Sequence, residues 1–357
     1  MSSLRQQVKA LRVNAAGTSS AHLQQRKGRV SLLLSPEEAA DIDLGTVREG
    51  AVGGLQSLAA VDERFAPFED TIFGKDAQHS HRELQTQEVN ARIDQSIATF
   101  LTLLAPHFLL RPAHLTLEYL VRHYKIHYFN ADDLMRCVLP WHDTRLFARV
   151  VQLMNLKNTR WEFLRPVQRS GSPLPRIALA QRVMEDAALL QFICEAVRAA
   201  TAANNAGSSL SRPASGSSVA GGGTTASADA QKRFRRPPPV PYPHLFSFFA
   251  AVVLEALDRG GAAGGLRERT ARTLVPVLLD GLAATSQPEF QMACYMVTAR
   301  LAMKVTLSAA VSDALLLTVA HGACAAGLEP RLLCALAILQ GQHGGGGGVG
   351  AGGGGSS

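Results

Sequence analysis

The sequence has 357 residues, 46% of them hydrophobic and only 18% charged, so it can close a sizeable core and is not a chain disordered throughout. The formal net charge is +7 and the pI about 9.4, a balance that attracts RNA, acidic proteins or anionic surfaces without selecting among them. Five cysteines, Cys137, Cys194, Cys294, Cys324 and Cys334, are odd in number, far apart and free of a CxxC pair; this excludes a disulfide framework or zinc module and fits a reducing compartment.

Residues 1–30 carry Arg5, Lys9, Arg12, Arg26, Lys27 and Arg29 with no acidic residue, the composition of a flexible basic arm, or more plainly of a solvated tail. They contain no apolar run of the kind a secretory signal needs, and the sequence holds no Asn-x-Ser/Thr sequon, so secretion is not expected.

From residue 31 to 200 the patterning is helical. Behind a cap at Thr46, Val47, Ala51, Leu55, Leu58 and Ala59 recur near the helical period. Gly50, Gly53 and Gly54 each cost about 1 kcal/mol there relative to alanine, so neighbours must pack on that stripe. Residues 86–105 give the strongest signal, with Val89, Ile93, Ile97, Phe100, Leu101 and Leu104 on one face and Pro106 as the stop. Pro112 then opens a helix carrying Leu117, Leu120, Val121 and Tyr124, and the short link predicts antiparallel packing of the two. Asn130 is placed to cap a brief helix with Asp132 and Asp133 in its first turn and Pro140 at its end. Asp143 and Asp186 are the expected caps of two more, facing inward with Leu146, Phe147, Val150, Val151 and Met154 and with Leu189, Leu190, Ile193 and Val197.

Residues 201–243 change abruptly to Ser, Gly, Ala and Pro, the composition of a disordered linker, and contain Lys232, Arg233, Arg235 and Arg236, which read as linker charge or a nuclear import run. Helical patterning returns over 244–342, including an apolar stretch at 245–257 too short to span a bilayer and a capping-box pair, Ser286 and Glu289. Residues 343–357 are nearly all Gly and Ser, as in an unstructured low-complexity tail or a truncated product. Short amphipathic helices joined by short links, without β-alternation, predict an all-α fold: a HEAT- or armadillo-like α-solenoid of stacked helix pairs, or a compact helical bundle.

Chemistry has little foothold. Gly74-Lys75-Asp76 lacks the glycines and hydroxyl residue of a phosphate-binding loop. His123 and His127 stand four apart, as a metal pair would, but Tyr124 follows where a zincin places Glu, so packing is the simpler role. No Gly-x-Ser-x-Gly elbow exists, and Glu37–Glu38 and Asp132–Asp133 suit capping rather than acid–base catalysis. The expectation is a binding protein with no catalytic residues, cofactor, metal, small-molecule substrate or membrane contact. Arg122, Lys125, Arg136, Arg145, Arg149, Lys157 and Arg160, interleaved with Tyr124, Tyr128, Trp141 and Trp161, are candidate RNA or partner contacts together with Arg26, Lys27 and Arg29; a solvated helix face is the alternative.

Particular strings go further than patterns. Arg26-Lys27-Gly28, Ser31-Leu32-Leu33-Leu34, Val61-Asp62-Glu63-Arg64-Phe65, Leu109-Leu110-Arg111-Pro112-Ala113-His114, Val138-Leu139-Pro140-Trp141-His142-Asp143-Thr144 and Asn155-Leu156-Lys157-Asn158-Thr159-Arg160-Trp161-Glu162-Phe163-Leu164 occur in order. With Gln291-Met292-Ala293-Cys294-Tyr295-Met296 beyond the linker, they resemble the N-terminal region of the U3 small nucleolar RNA-associated protein 10 family, also called HEAT repeat-containing protein 1. That resemblance implies a non-enzymatic scaffold of the small-subunit processome (the 90S pre-ribosome) in the nucleus and nucleolus. The implied partners are early-binding processome subunits, U3 small nucleolar RNA and pre-rRNA, and the implied roles are pre-18S rRNA processing, ribosome biogenesis and support of RNA polymerase I transcription. The insertion at 201–243 and the Gly-rich ending depart from family members, which continue several-fold further. A cytosolic transport or trafficking adaptor is the other class such a fold serves.

Overall fold

The computed structural model describes residues 30–79, 81–209, 242–259, 264–322 and 325–343. The basic arm, the import run, most of the expected linker and the Gly-rich tail lie outside the described residues. Among those described there is no strand, and no helix is long and apolar enough to cross a membrane. The chain divides into two compact units at Pro173 and Leu174.

In the first unit, α1 (Pro36–Asp41) was not anticipated, although its signal is written in four residues. Ser35 Oγ accepts from the Glu38 N–H while Glu38 accepts from the Ser35 N–H, with Pro36 opening the helix. Helix α2 (Leu44–Val61) starts earlier than Thr46, because Asp43 is the cap and its carboxylate accepts from the Thr46 N–H at 3.0 Å. One of its glycines has a packing reason: a Cβ on Gly54 would lie 2.8 Å from the carbonyl oxygen of Pro112, so only glycine admits the neighbouring backbone, whereas Gly53 faces open space.

That neighbour is α4 (Arg111–His123), which packs most extensively on α2. Helix α3 (Gln87–Leu104), capped by Thr86, turns to α6 (Ala131–Val138) instead. The expectation that consecutive helices α3 and α4 pair is corrected by this choice, which follows the site where the backbones can approach. Ile97, Phe100, Leu101 and Leu104 are buried as their spacing requires, whereas Val89 and Ile93, in the first turns of α3, are only partly covered. Phe100 sits at the centre of an aromatic cluster, with ring centroids 5.6, 5.2 and 5.3 Å from those of Phe65, Phe68 and Phe73.

Two further caps differ from expectation. Asn130 occupies the cap position of α6, after the one-turn α5 (Ile126–Phe129), yet its side chain makes no cap bond; it is held by Arg82 and Asp94. Helix α7 (Arg145–Leu153) is capped by Thr144, whose hydroxyl accepts from the Phe147 N–H, rather than by Asp143. The short α8 (Arg165–Ser170) ends on Gly171, at φ +65°, where glycine is the least strained residue.

The second unit contains α9 (Arg176–Glu185), α10 (Ala187–Ser209), α11 (Pro243–Arg259), α12 (Gly264–Leu282), α13 (Pro288–Lys304), α14 (Ala309–His321) and α15 (Leu328–His343). Helices α9 and α10 thus pack here, although their sequence position groups them with 31–200, and α10 continues to Ser209, past the start of the expected linker. The cap of α13 is Gln287, one residue beyond the expected Ser286–Glu289 pair.

Alternate helices form two rows. One row runs α9, α11, α13, α15, each packed on the next; the other runs α10, α12, α14; and α9–α10, α10–α11, α12–α13 and α14–α15 contacts tie them together. This is the stacking of a HEAT- or armadillo-like α-solenoid. The stretch 245–257 is a buried helix, with Phe246, Phe249, Val252 and Val253 at most 2% exposed. Cys137, Cys194, Cys294 and Cys334 are buried and free, and burial pushes the Cys194 and Cys334 thiols up to about 12, so they act as core residues; Cys324 lies outside the described residues.

Candidate partner-binding surface

Two of the basic residues expected to reach outward are spent inside the first unit. Glu118 on α4 receives three bonds from the segment before α1: Ser31 Oγ at 2.7 Å, the Leu32 N–H at 2.6 Å and the Leu33 N–H at 3.1 Å. One turn on, Arg122 pairs with Glu118 at 2.5 Å and donates to the carbonyls of Ala39 and Ile42. Arg149 on α7 donates to the carbonyls of Ser31, Leu32 and Leu34. The Glu118 carboxylate and the Arg149 guanidinium therefore satisfy the backbone of residues 31–34, while Arg122 serves carbonyls at the end of α1.

The other candidates face differently. Arg145 is exposed, and Lys125 is exposed while paired with Glu83. Arg136 is bound to Asp133 at 2.8 Å and only partly exposed, and Arg160 lies near Asp132 at 3.7 Å. Arg26, Lys27, Arg29, Lys232, Arg233, Arg235 and Arg236 lie outside the described residues. Of the interleaved aromatics, Tyr124 and Trp161 are buried, and Trp141 donates its indole N–H to the Ala105 carbonyl. Tyr128, 62% exposed beside Phe129, is the ring a nucleobase or partner side chain can reach. Of this stretch, Lys125, Tyr128, Arg145, Lys157 and Arg160 stand exposed.

His123 and His142 are buried, and His127 is partly covered. His123 stacks on Tyr119, and its Nε2 lies 2.8 Å from the Ala77 carbonyl. Among the described residues no group of three His, Cys, Asp or Glu side chains is arranged to hold a metal. Burial holds His107, His114, His123 and His127 below the ordinary imidazole value of 6.5, with Lys125 adding to the effect at His127. Imidazoles of the unfolded chain take up protons as pH falls through about 6.5, while the folded ones resist until lower pH. The stability that these four histidines contribute is therefore fully present above that value and is lost as pH falls below it; urea midpoints should hold between pH 7.5 and about 6.5 and fall toward pH 5.5, and a flat profile would contradict this.

The second unit ends in an apolar surface that periodicity alone did not mark as exposed. On α15, Leu328, Leu332, Leu333, Leu336 and Leu339 are between 38% and 63% exposed, whereas Cys334, Ala337 and Ile338 are buried. Their leucine spacing signals a helix face, and no described helix covers it.

Comparison with known proteins places these surfaces in context. A family model described as U3 small nucleolar RNA-associated protein 10 matches residues 270–348, from α12 through α15. HEAT repeat-containing protein 1 of Danio rerio is 31% identical over 353 residues, covering 97% of this chain and 15% of that protein. The Homo sapiens protein of the same name is 35% identical over 311 residues, 86% of this chain and 13% of its own length. U3 small nucleolar RNA-associated protein 10 of Yarrowia lipolytica is 28% identical over 340 residues, 95% of this chain and 18% of its own. The chain spans less than one-fifth of the length of each of these three relatives.

Proposed function

Because the chain belongs to the family of HEAT repeat-containing protein 1 and U3 small nucleolar RNA-associated protein 10, we propose that it is a non-enzymatic scaffold in ribosome biogenesis, acting with the U3 small nucleolar ribonucleoprotein. The observation that carries this reading is similarity along 97% of the chain to a relative named for its HEAT repeats, joined to a family model named for U3 association. The helical rows support it in physical terms, since stacked helices expose long continuous faces and suit binding rather than turnover.

In its finer form, the scaffold sits in the nucleolus as part of the early-binding subcomplex of the small-subunit processome, and it helps pre-18S rRNA processing and RNA polymerase I transcription. Its partners are other processome subunits, U3 small nucleolar RNA and pre-rRNA. Lys125, Arg145 and Tyr128 on the fold, with Arg26, Lys27 and Arg29 before it, are the proposed RNA contacts, and the run Lys232, Arg233, Arg235, Arg236 is the proposed import signal. Phosphate contacts of this kind weaken as salt rises, because bound counterions are no longer released favourably. A fluorescent fusion should concentrate in nucleoli and become cytosolic when the four residues of the import run are replaced by alanine. A wild-type fusion that stays cytosolic would contradict the proposal and favour a trafficking adaptor.

A further inference from the structure

A two-lobed groove lies beside the seam of α2 and α4 in the first unit, and its lobes share Ile42 and Arg122 in their walls. The larger, about 590 Å³, is lined by Leu33, Leu34, Val47 and Leu115, together with Gly50 and Arg111. The smaller, about 450 Å³, is lined by Val30, Leu44 and Val121, together with Lys125 and His127. Helical spacing brings these positions together: Leu44, Val47 and Gly50 follow one another three apart on α2, and Arg111, Leu115, Glu118 and Arg122 form one stripe on α4. The larger lobe is open beside Gly50, which brings no side chain to fill it; a Cβ there would meet Leu115 Cδ2 at 3.9 Å and nothing nearer.

The charges that face the groove are unevenly spent. Both carboxylates of its lining are committed, Glu118 to Arg122 and residues 31–33, and Asp43 to the cap of α2. The cations keep capacity. Arg111 is exposed, and among the described residues its side chain has no ion pair or hydrogen bond. Lys125 pairs with Glu83, and both side chains are more than half exposed. Arg122, whose side chain is 8% exposed, uses Nε on Glu118 and Nη1 on the carbonyls of Ala39 and Ile42, which leaves Nη2 buried without an acceptor. In the smaller lobe, Nδ1 of His127 is buried and unpartnered as well. A buried donor without an acceptor is a standing cost that an incoming carboxylate removes.

We propose that this groove binds an acidic peptide segment of another protein, with apolar side chains in the two lobes and a carboxylate between them accepting from Arg122 Nη2. Arg111, at the larger lobe, and Lys125, at the smaller, stand roughly 20 Å apart along α4 and attract further acidic residues of an extended segment of about six residues. The occupant is a peptide rather than single-stranded RNA because no Phe, Tyr or Trp lines either lobe, and unstacked bases are held on such rings. It is not the arm of this chain, because residues 1–29 carry six basic residues and no acidic one. The proposal deepens the scaffold reading by naming the chemistry of one partner; peptide binding by the purified chain involves no RNA, so the two can fail separately.

The test uses the whole 357-residue chain and an array of short synthetic peptides, each with two leucines flanking a central aspartate at varied spacing. A matched array carries lysine in place of aspartate, and a peptide of residues 1–29 and an oligouridine are measured beside them by fluorescence polarisation. Members of the aspartate array should bind and their lysine counterparts should not. Gly50→Leu, which fills the larger lobe, should weaken the best peptide roughly tenfold or more, the equivalent of losing the burial of one leucine-sized side chain. Arg111→Glu should weaken it several-fold, in a salt-sensitive way, while the new acid sits favourably in the first turn of α4. The thermal midpoint of Gly50→Leu should hold or rise, since it removes a glycine from a helix interior. Failure of every aspartate peptide to bind the folded chain would overturn the proposal, as would equal binding of the lysine array or indifference to Gly50→Leu. A lowered midpoint for Gly50→Leu would overturn it by showing that the lobe has no room. So would binding of the oligouridine or of the 1–29 peptide that Gly50→Leu abolishes, because the groove would then serve RNA or the arm.

Discussion

Glu118→Ala should destabilise the first unit by about 3–5 kcal/mol, the range for removing one partner of a buried ion pair. The change does more than delete a bond. Arg122, whose side chain is 8% exposed, would keep its charge without a carboxylate beside it, and the N–H groups of Leu32 and Leu33 would lose their acceptor. The segment from Ser31 to Leu34 would keep its bonds to Arg149 and its apolar side chains but lose those to α4. Urea unfolding monitored by circular dichroism measures the loss, and proteolysis near the N-terminus should accelerate in parallel. Glu118→Gln should cost less, because an amide still accepts from one backbone N–H, so its midpoint should fall between the other two. A loss below about 1 kcal/mol for Glu118→Ala would show that the segment is not held as described.

The second large effect is expected at Phe100. Three phenyl rings contact it and it is fully buried, so Phe100→Ala should cost about 3–5 kcal/mol through lost transfer free energy and the cavity left behind. Phe100→Leu refills part of that space and should cost distinctly less. Thermal unfolding of the two variants beside wild type separates them. Equal losses would mean that aromatic edge contacts rather than filled volume dominate the site, and a negligible loss in both would remove Phe65, Phe68, Phe73 and Phe100 as the organising cluster.

Periodicity made the helices legible because most of their stability comes from burying a stripe, and a stripe is a property of spacing. Residues 86–105 show this well: every side chain assigned inward from Ile97 onward is buried. Caps were harder, because several oxygens compete within two or three residues of a helix start. Asp43 took the place assigned to Thr46 and Thr144 that of Asp143, and Asn130 was drawn off by Arg82 and Asp94, which lie far away in sequence. The four-residue helix signal at Ser35–Glu38 is local and readable, but α1 is too short to show a period.

The outward surface was the least legible part. Arg122 and Arg149 look like solvent-facing cations in sequence, and nothing near them reveals that they also bind carbonyl groups 80 to 118 residues away. The leucines of α15 present the opposite case: their spacing promises burial, yet among the described residues they stand exposed. Both cases share one cause. Helical period tells which side chains share a face, while the stacking order of helices decides whether that face meets protein, solvent or a partner. The strings shared with relatives supplied what physical patterning could not, a connection to U3-associated proteins.

The most direct test is recovery of the tagged chain from cells at mild salt, followed by quantification of the RNA that comes with it. U3 small nucleolar RNA and the 5′ external transcribed spacer of pre-rRNA should both be enriched over an unrelated helical-repeat protein, and the enrichment should decline as salt is raised. Absence of both RNAs from a folded, nuclear chain would contradict the scaffold assignment.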